Sequence, residues 1–410
     1  MERRVVITAE ALITPVGNTK GQVIDNLING VSGVKKLRKD PQLDKVLKSK
    51  VFGTVDFPIN YNFKRKYAKT LGPVGYYACQ VAKEILEKSG LDEDFISSGR
   101  MGVAFGSTQG SPNVQREIFK AFFSDSFELK NLKSAGYIQQ MTHTTAVNIA
   151  RMFSITGRII SSCTACTTSA QSIGYGYEAI KYGLQDAMIC GGADEYDTLT
   201  VAVFDKLLAT STAYNETPEK TPRPFDANRD GLVVGEGAGA LLLEDYEFAK
   251  KRGAVILAEV AGFFCGCNGG DLIHPDVERL GQTLRMGLEN AMLNPEQVDF
   301  ISAHATATPI GDTVEAESIY SVYKDRPCVT GFKSFTGHTM GTCGVIEAIF
   351  TLYMMQNKII IPTLNLKDVD EGCKMINHTL RLKEKQINIA TIQNFAFGGV
   401  NTSLFIKMFN

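Results

Sequence analysis

Along the whole chain, β-branched apolar runs alternate with helix-periodic segments, and nothing constrains the fold more. Residues 3–9 (RRVVITA) read as a buried strand, and residues 21–33 follow with helical spacing. Residues 74–90 (VGYYACQVAKEILEKSG) read as a helix closed by lysine and Gly90. Residues 101–108 give a strand into a glycine turn, 157–162 a strand, 168–183 a helix, 186–194 a strand and 235–245 a small-residue segment entering a strand. The rhythm then repeats: strand 254–264, helix 280–292, strand and loop 298–308, helix 341–357, strand and glycine turn 387–399, closing strand 400–410. This alternation predicts α/β layers with mostly parallel strands, and two halves of similar rhythm predict an internal duplication.

At 410 residues and 44% hydrophobic, the chain has enough apolar material for two or three core units. Its net charge of -1 provides no global field for nucleic acid or a membrane surface, so an acidic or basic partner must meet a local patch. The opening MERRVVITAE is too short in its apolar part for a secretion signal, and no run reaches the ~18 apolar residues of a spanning helix. A cytoplasmic protein without membrane insertion is expected, its nine cysteines free thiols.

Residues 161–180, SSCTACTTSAQSIGYGYEAI, hold Cys163 and Cys166 in C-x-x-C spacing. A redox pair at a helix start fits in part. A structural zinc site needs a second pair, for which Cys265 and Cys267 are weak candidates. Two small buried apolar residues is the plain alternative. The surroundings favour a nucleophile: a strand runs into a short turn holding Cys166, and a helix begins just after it. There the helix dipole and free N–H groups are expected to stabilise a thiolate. Of the five histidines, His304 (FISAHATATPIGD) and His338 (FKSFTGHTMGTCG) sit in loops of small residues where backbone can approach a ligand, whereas His143, His274 and His378 do not.

TACTTSAQSIGYGYEAI, AHATATPIGD, KSFTGHTMGTCGVIEA and NFAFGGVNTSLF, in this order, resemble an elongating β-ketoacyl-acyl carrier protein synthase. The likeness extends over RRVVITAEALITPVGN and TPRPFDANRDGLVVGEGAGALLLED, so it spans essentially the whole chain. Residues 170–183 and 394–404 resemble the ketosynthases of bacterial aryl-polyene and related type II polyene pathways, a general fatty-acid elongating synthase being the alternative. The resemblance implies a thiolase fold, two α/β halves in an αβαβα stack, divided here as 1–250 and 251–410. It implies Cys166 as the acylated nucleophile, with Cys163 a bystander, and His304 and His338 as the pair acting on the malonyl group. Lys333 and Glu347 become supporting residues. Phe397 becomes a gate whose N–H joins that of Cys166 in an oxyanion hole, and Thr306 and Thr308 the holders of phosphopantetheine. The implied reaction is decarboxylative condensation of an acyl-enzyme with malonyl-acyl carrier protein, with no metal and no cofactor beyond the carrier's phosphopantetheine.

Three positions depart from the family pattern. Ala305 stands where glycine is usual, read as a small steric change, and Asp271 and Ile273 stand where a histidine and a threonine are usual near the pantetheine channel. KRKYAK places Lys64, Arg65, Lys66 and Lys69 at helical spacing, either as a solvated face or, joined by Lys206, as a dock for an acidic carrier protein. Other readings are a thiolase or initiating synthase using coenzyme A, a housekeeping fatty-acid enzyme, or a subunit of a ketosynthase/chain-length-factor heterodimer. His338 in TGHTMG argues against an initiating enzyme, and the presence of Cys166 against a non-catalytic partner. The expected assembly is a homodimer or such a heterodimer.

Overall fold

The computed structural model of the protein describes residues 2–37, 45–60, 62–125, 128, 130, 132–271 and 274–409. Its main sheet contains β1 (Val5–Ile13), β2 (Met101–Gly106), β3 (Ile159–Ile160), β4 (Ala187–Asp194), β5 (Gly237–Asp245) and β6 (Ala258–Cys267). It continues with β7 (Phe300–Ser302), β8 (Cys328–Thr330), β9 (Asn377–His378), β10 (Ile389–Phe395) and β11 (Val400–Lys407). The helices that matter here are α1 (Pro73–Ser89), α2 (Pro112–Phe122), α3 (Thr144–Phe153), α4 (Thr168–Lys181), α5 (Thr198–Lys206), α6 (Val277–Ala291), α7 (Pro309–Tyr323) and α8 (Cys343–Asn357). Among the described residues no helix is long and apolar enough to cross a membrane.

The strand order is β9-β8-β7-β10-β11-β6-β1-β5-β4-β2-β3, and it contains one pattern twice. In the first half β1 runs antiparallel to β5, β5 antiparallel to β4, and β4, β2 and β3 are parallel. In the second, β6 runs antiparallel to β11, β11 antiparallel to β10, and β10, β7 and β8 are parallel, with β9 added at the edge. The halves meet where Val5–Ile7 of β1 pairs antiparallel with Ala258–Val260 of β6. Five of these ten neighbouring pairs are therefore antiparallel, which corrects the expectation of a mostly parallel sheet. The reason is local: β10 turns straight back into β11 over residues 396–399, and a turn that short can only join antiparallel strands.

Each half also repeats its helices. α1 and α3 cover the outer face of the first half, α6 and α7 that of the second, and α4 and α8 lie between the two, which completes five αβαβα layers. A register shift between Ile7 and Ala9 lets β1 serve two cores: Val5 and Ile7 face the central helices, and Ala9, Ala11 and Ile13 face α1. α8 is buried from Cys343 to Met355, so its apolar character runs all round, as a helix packed on every side requires. The central helices touch through small residues: a Cβ on Gly344 would lie 2.9 Å from the Ala170 Cβ. Edge strand β3 is shorter than its sequence suggested, with only Ile159 and Ile160 laddered, against Val103 and Ala104 of β2.

Candidate active site

Both central helices start at the same level of the stack, and the site is built on their starts. Residues 161–164 leave β3, and Ala165 takes a left-handed backbone at φ +49°, a conformation L-residues adopt only at a cost. Cys166 follows in a single 3-10 turn, Ala165–Thr167, directly before α4. This sharp strand-to-helix turn presents the Cys166 thiol to the interior of a cleft of about 550 Å3. Cys163, three residues earlier, is exposed, and its Sγ lies 3.3 Å from the Thr108 carbonyl. The two cysteines do not pair. Cys265 and Cys267 lie on β6, Cys265 within 3.0 Å of Gln171 Nε2, and neither belongs to the cysteine–histidine cluster.

His338 arrives from the second half. Its backbone is fixed on both sides, N–H to the Val233 carbonyl at 2.6 Å and carbonyl to the Gly235 N–H at 2.8 Å. Its Nε2 lies 2.9 Å from Cys166 Sγ. His304 stands edge-on to it, ring centroids 5.4 Å apart at 89°. A thiol sulfur and one nitrogen from each imidazole all lie within 4.8 Å of one another. The other histidines fall elsewhere: His143 starts α3, His378 bonds the Cys373 carbonyl, and His274 pairs with Asp271 at the rim of the cleft. Ile273 lies outside the described residues.

The loop carrying His304 is held by two buried carboxylates from α7. Glu315 accepts the N–H groups of His304 and Ala305 at 2.7 and 2.6 Å, and Asp312 accepts that of Ala307 at 3.0 Å. These bonds hold Ala305 at φ +36° and Ala307 at φ +67°, so Ala305 has a backbone cost beyond the steric one expected. Thr306 and Thr308 emerge from this loop into the cleft, their hydroxyls 3.1 Å apart. Sequence reasoning missed Glu315 and Asp312. The helix that carries them, Pro309–Tyr323, was not read from the sequence, so nothing there marked the two acids as holding the loop.

Lys333 and Glu347 form a buried ion pair of 2.6 Å, and the second Glu347 oxygen accepts Asn394 Nδ2 at 2.7 Å. Burial opposes the Lys333 charge, but Glu347, helped by Cys343 and Glu315, outweighs it and holds the ammonium protonated. This charge reaches the whole site. Burial first, then Lys333, pushes both histidines well below the usual imidazole range, so both are neutral at pH 7. Burial raises the Cys166 thiol to about 11, against the opposing pull of Lys333 and of the backbone N–H groups of Cys166 and Phe397. The N–H donors at the helix start do favour the thiolate, as expected, but desolvation outweighs them. What remains is a thiol facing a neutral imidazole that can take its proton. Three such donors are also a set that zinc accepts, but the Lys333 ammonium that depresses both imidazoles repels a cation equally.

The two N–H groups converging on Cys166 Sγ come from opposite halves, one at the start of α4 and the other at Phe397 between β10 and β11. The Phe397 ring is 40% exposed at the mouth of the cleft and leans on Phe204 of α5, centroids 5.7 Å apart. The expected basic cluster is a one-turn helix, Arg65–Ala68, preceded by Lys64 and followed by Lys69, exposed and braced by Arg151 of α3. No residue of it lines the cleft. Lys206 ends α5 immediately before Leu207 and Leu208, which do.

Fold and site together define a thiolase-fold enzyme with one thiol and two imidazoles at the seam of its halves. Residues 2–249 match the beta-ketoacyl synthase N-terminal domain and residues 257–367 the beta-ketoacyl synthase C-terminal domain. A 3-oxoacyl-[acyl-carrier-protein] synthase 1 from Haemophilus influenzae is 33% identical over the full length of both chains. A beta-ketoacyl synthase from Burkholderia phymatum superposes with a TM-score of 0.94 at 38% identity, covering 100% of each chain. A type II polyketide-synthase ketosynthase, solved in complex with its acyl carrier protein and bound to the hexaketide, superposes at 0.91 with 26% identity over 100% of each chain. The chain belongs to the beta-ketoacyl synthase family and is an acyltransferase.

Proposed function

We propose that this chain elongates acyl chains held on an acyl carrier protein by decarboxylative condensation with malonyl-acyl carrier protein. The observation that carries this is the 2.9 Å pair of Cys166 Sγ and His338 Nε2, with His304 edge-on and two backbone N–H groups at the sulfur. In acyl transfer, Cys166 attacks the thioester carbonyl and its proton passes to His338 Nε2. The oxyanion is met by the N–H groups of Cys166 and Phe397. The C–S bond to the carrier breaks, and the departing thiolate takes the proton back from His338. Malonyl thioester then enters. Its carboxylate leaves as carbon dioxide, and the electron pair moves onto the thioester oxygen as an enolate. His304, in the tautomer with a hydrogen on the ring nitrogen facing the cleft, stabilises that oxygen as a neutral donor, and His338, whose Nε2 gave its proton to the departing thiolate, does so after its remaining ring hydrogen has exchanged from Nδ1 to Nε2. The enolate carbon attacks the acyl-Cys166 carbonyl, a C–C bond forms, and the C–S bond to Cys166 breaks, returning the thiol after protonation. The product is a 3-oxoacyl-acyl carrier protein two carbons longer.

Division of labour follows the chain: residues 1–250 supply Cys166, and residues 251–410 supply His304, His338, Lys333, Glu347, Phe397, Thr306 and Thr308. Thr306 and Thr308 hold the phosphopantetheine arm. Lys64, Arg65, Lys69 and Lys206 dock the acidic carrier. The sequence of α4 and of the β10–β11 turn favours an aryl-polyene or related polyene pathway, with housekeeping fatty-acid elongation as the second reading. The working unit is a homodimer or a heterodimer with a chain-length-factor-like ketosynthase.

Intact mass of carrier-bound products from malonyl carrier protein and a panel of acyl primers tests the reaction and its chain length. Cys166→Ala abolishes the acyl-enzyme, Cys163→Ala leaves condensation intact, and His304→Ala still acylates Cys166 but loses roughly 100–1,000-fold in condensation. An acyl group mapped to Cys163 would sink the assignment.

A further inference from the structure

The turn that carries Cys166 occurs twice. Thr164-Ala165-Cys166-Thr167 opens α4, and Thr339-Met340-Gly341-Thr342 opens α8. Each is one 3-10 turn whose first residue has a left-handed backbone, φ +49° at Ala165 and +54° at Met340. The last threonine of each donates its hydroxyl back to the first carbonyl, Thr167 to Thr164 at 2.8 Å and Thr342 to Thr339 at 2.6 Å. Gly341 is thus the counterpart of Cys166, and His338, three residues before Gly341, is the counterpart of Cys163.

The two turns also receive their partners crosswise. The first is met from the second half, by the Phe397 N–H beyond the end of β10. The second is met from the first half, by Asp194, the last residue of β4. Asp194 is 3% exposed, and one of its oxygens accepts the Gly341 N–H at 2.8 Å. The other accepts the Ser107 hydroxyl, the Thr108 N–H and the Thr108 hydroxyl at 2.9, 3.0 and 2.7 Å. A carboxylate oxygen therefore sits against the second turn where, on the mechanism above, a substrate oxygen sits against the first.

We propose that Asp194 is a positioning residue: its carboxylate plugs the second turn and, by holding Gly341, sets His338 against Cys166. Gly341 is three residues from His338 across a left-handed residue, Met340, and left-handed backbone persists only where its surroundings fix it. The Asp194–Gly341 bond ties that turn to β4 and, through Ser107 and Thr108, to the end of β2. Both strands belong to the half that carries Cys166. The latch thus spans the same seam as the Cys166–His338 pair and determines its length.

This inference rests on the reading of Cys166 and His338 as thiol and base, and the test separates the two. Iodoacetamide labelling of the full-length protein, mapped by mass, reads Cys166 reactivity; steady-state condensation reads kcat and KM for malonyl carrier protein; thermal melting reports folding. In wild type, Cys166 labelling faster than the other eight cysteines upholds the underlying reading, and slower labelling overturns it. Asp194→Asn keeps the shape but cannot accept from both sides. Folded Asp194→Asn is expected to lose about 10–100-fold in Cys166 labelling and in kcat at near-constant KM, the scale of a catalytic group displaced by about an ångström. Charge alone predicts the opposite sign. Burial is the main reason the thiol is hard to ionise, and the Asp194 charge adds to it, so removing that charge eases ionisation. Gly341→Ala leaves the charge in place but puts a Cβ 2.9 Å from the Asp194 oxygen and 3.0 Å from the Thr168 Cβ, and the same loss is expected. If Asp194→Asn does not fold, Gly341→Ala decides. A folded variant with labelling and kcat within about threefold of wild type, or with faster labelling, overturns the latch.

Discussion

Lys333→Met should separate the two tasks of the buried lysine. Lys333 and Glu347 are 1% and 2% exposed and 2.6 Å apart, and among the described residues the only other bond to the Glu347 carboxylate comes from Asn394. Removing the ammonium alone leaves a buried anion without its counter-charge, which costs about 3–5 kcal/mol. Lys333→Met with Glu347→Gln removes both charges and still offers Asn394 an amide oxygen. Replacing a buried pair outright is neutral or stabilising by about 1–4 kcal/mol in comparable cases, so the double variant should recover most of the loss. Reactivity should not recover. Lys333 is the foremost influence opposing burial at Cys166, and both variants lack it. Their thiol pKa rises, and each unit of rise removes tenfold of the thiolate, about 1.4 kcal/mol. Urea unfolding gives the stabilities, and mass-resolved alkylation against pH gives the thiol profile. A double variant as unstable as the single would show that Lys333 acts through packing. A double variant whose alkylation profile overlays wild type would show that its charge is not felt at the sulfur.

Two further outcomes are expected. Replacing Lys64, Arg65 and Lys69 by alanine should raise KM for an acyl carrier protein but not for a short pantetheine thioester. Added salt should weaken wild type more than the variant, since exposed charges are screened over about 8–10 Å; equal loss on both substrates would place the fault in the active site. Burial raises the Glu315 carboxyl from 4.5 to about 8 despite the N–H groups it accepts. Its contribution to stability is full below pH 4.5 and is lost as pH rises through about 8, because the folded state holds a proton the unfolded chain releases. The melting temperature of wild type should therefore fall more steeply across that window than that of Glu315→Gln, and parallel slopes would refute it.

Periodicity was enough to find α1, α4 and α6, which show their burial in the spacing of apolar residues, and α8 stood out as an almost unbroken apolar run, whereas α7, as long as α8, was not read from the sequence. Strand direction was not legible: it depends on which strands become neighbours, and segments such as 254–264 look the same in either orientation. At the site, Cys166, His304 and His338 were legible because reactive side chains in small-residue loops are rare. Asp194, Asp312 and Glu315 were not, because accepting a backbone N–H leaves no mark on the donor's sequence. The size of the burial effect on the thiol was not legible for a related reason: a helix start is visible in sequence, whereas burial of the sulfur depends on residues from both halves. The doubled turn is written in the chain as T-A-C-T and T-M-G-T, too short a likeness to separate from chance until backbone angles and partners coincide.

The seam at β1 has a consequence for how the chain comes into being. The first strand made, Val5–Ile13, finds its partners in residues 238–245 and 258–260. During synthesis it waits with both edges unpaired while more than half the chain is produced, and such long-range pairing is slow and leaves strand edges open to wrong partners. Its bulge makes a premature partner a poor fit, since a strand in the wrong register would turn Ala9, Ala11 and Ile13 to the wrong core. Synthesis of the second half thus closes the first, and a nascent chain stopped before residue 260 should remain a client for chaperones.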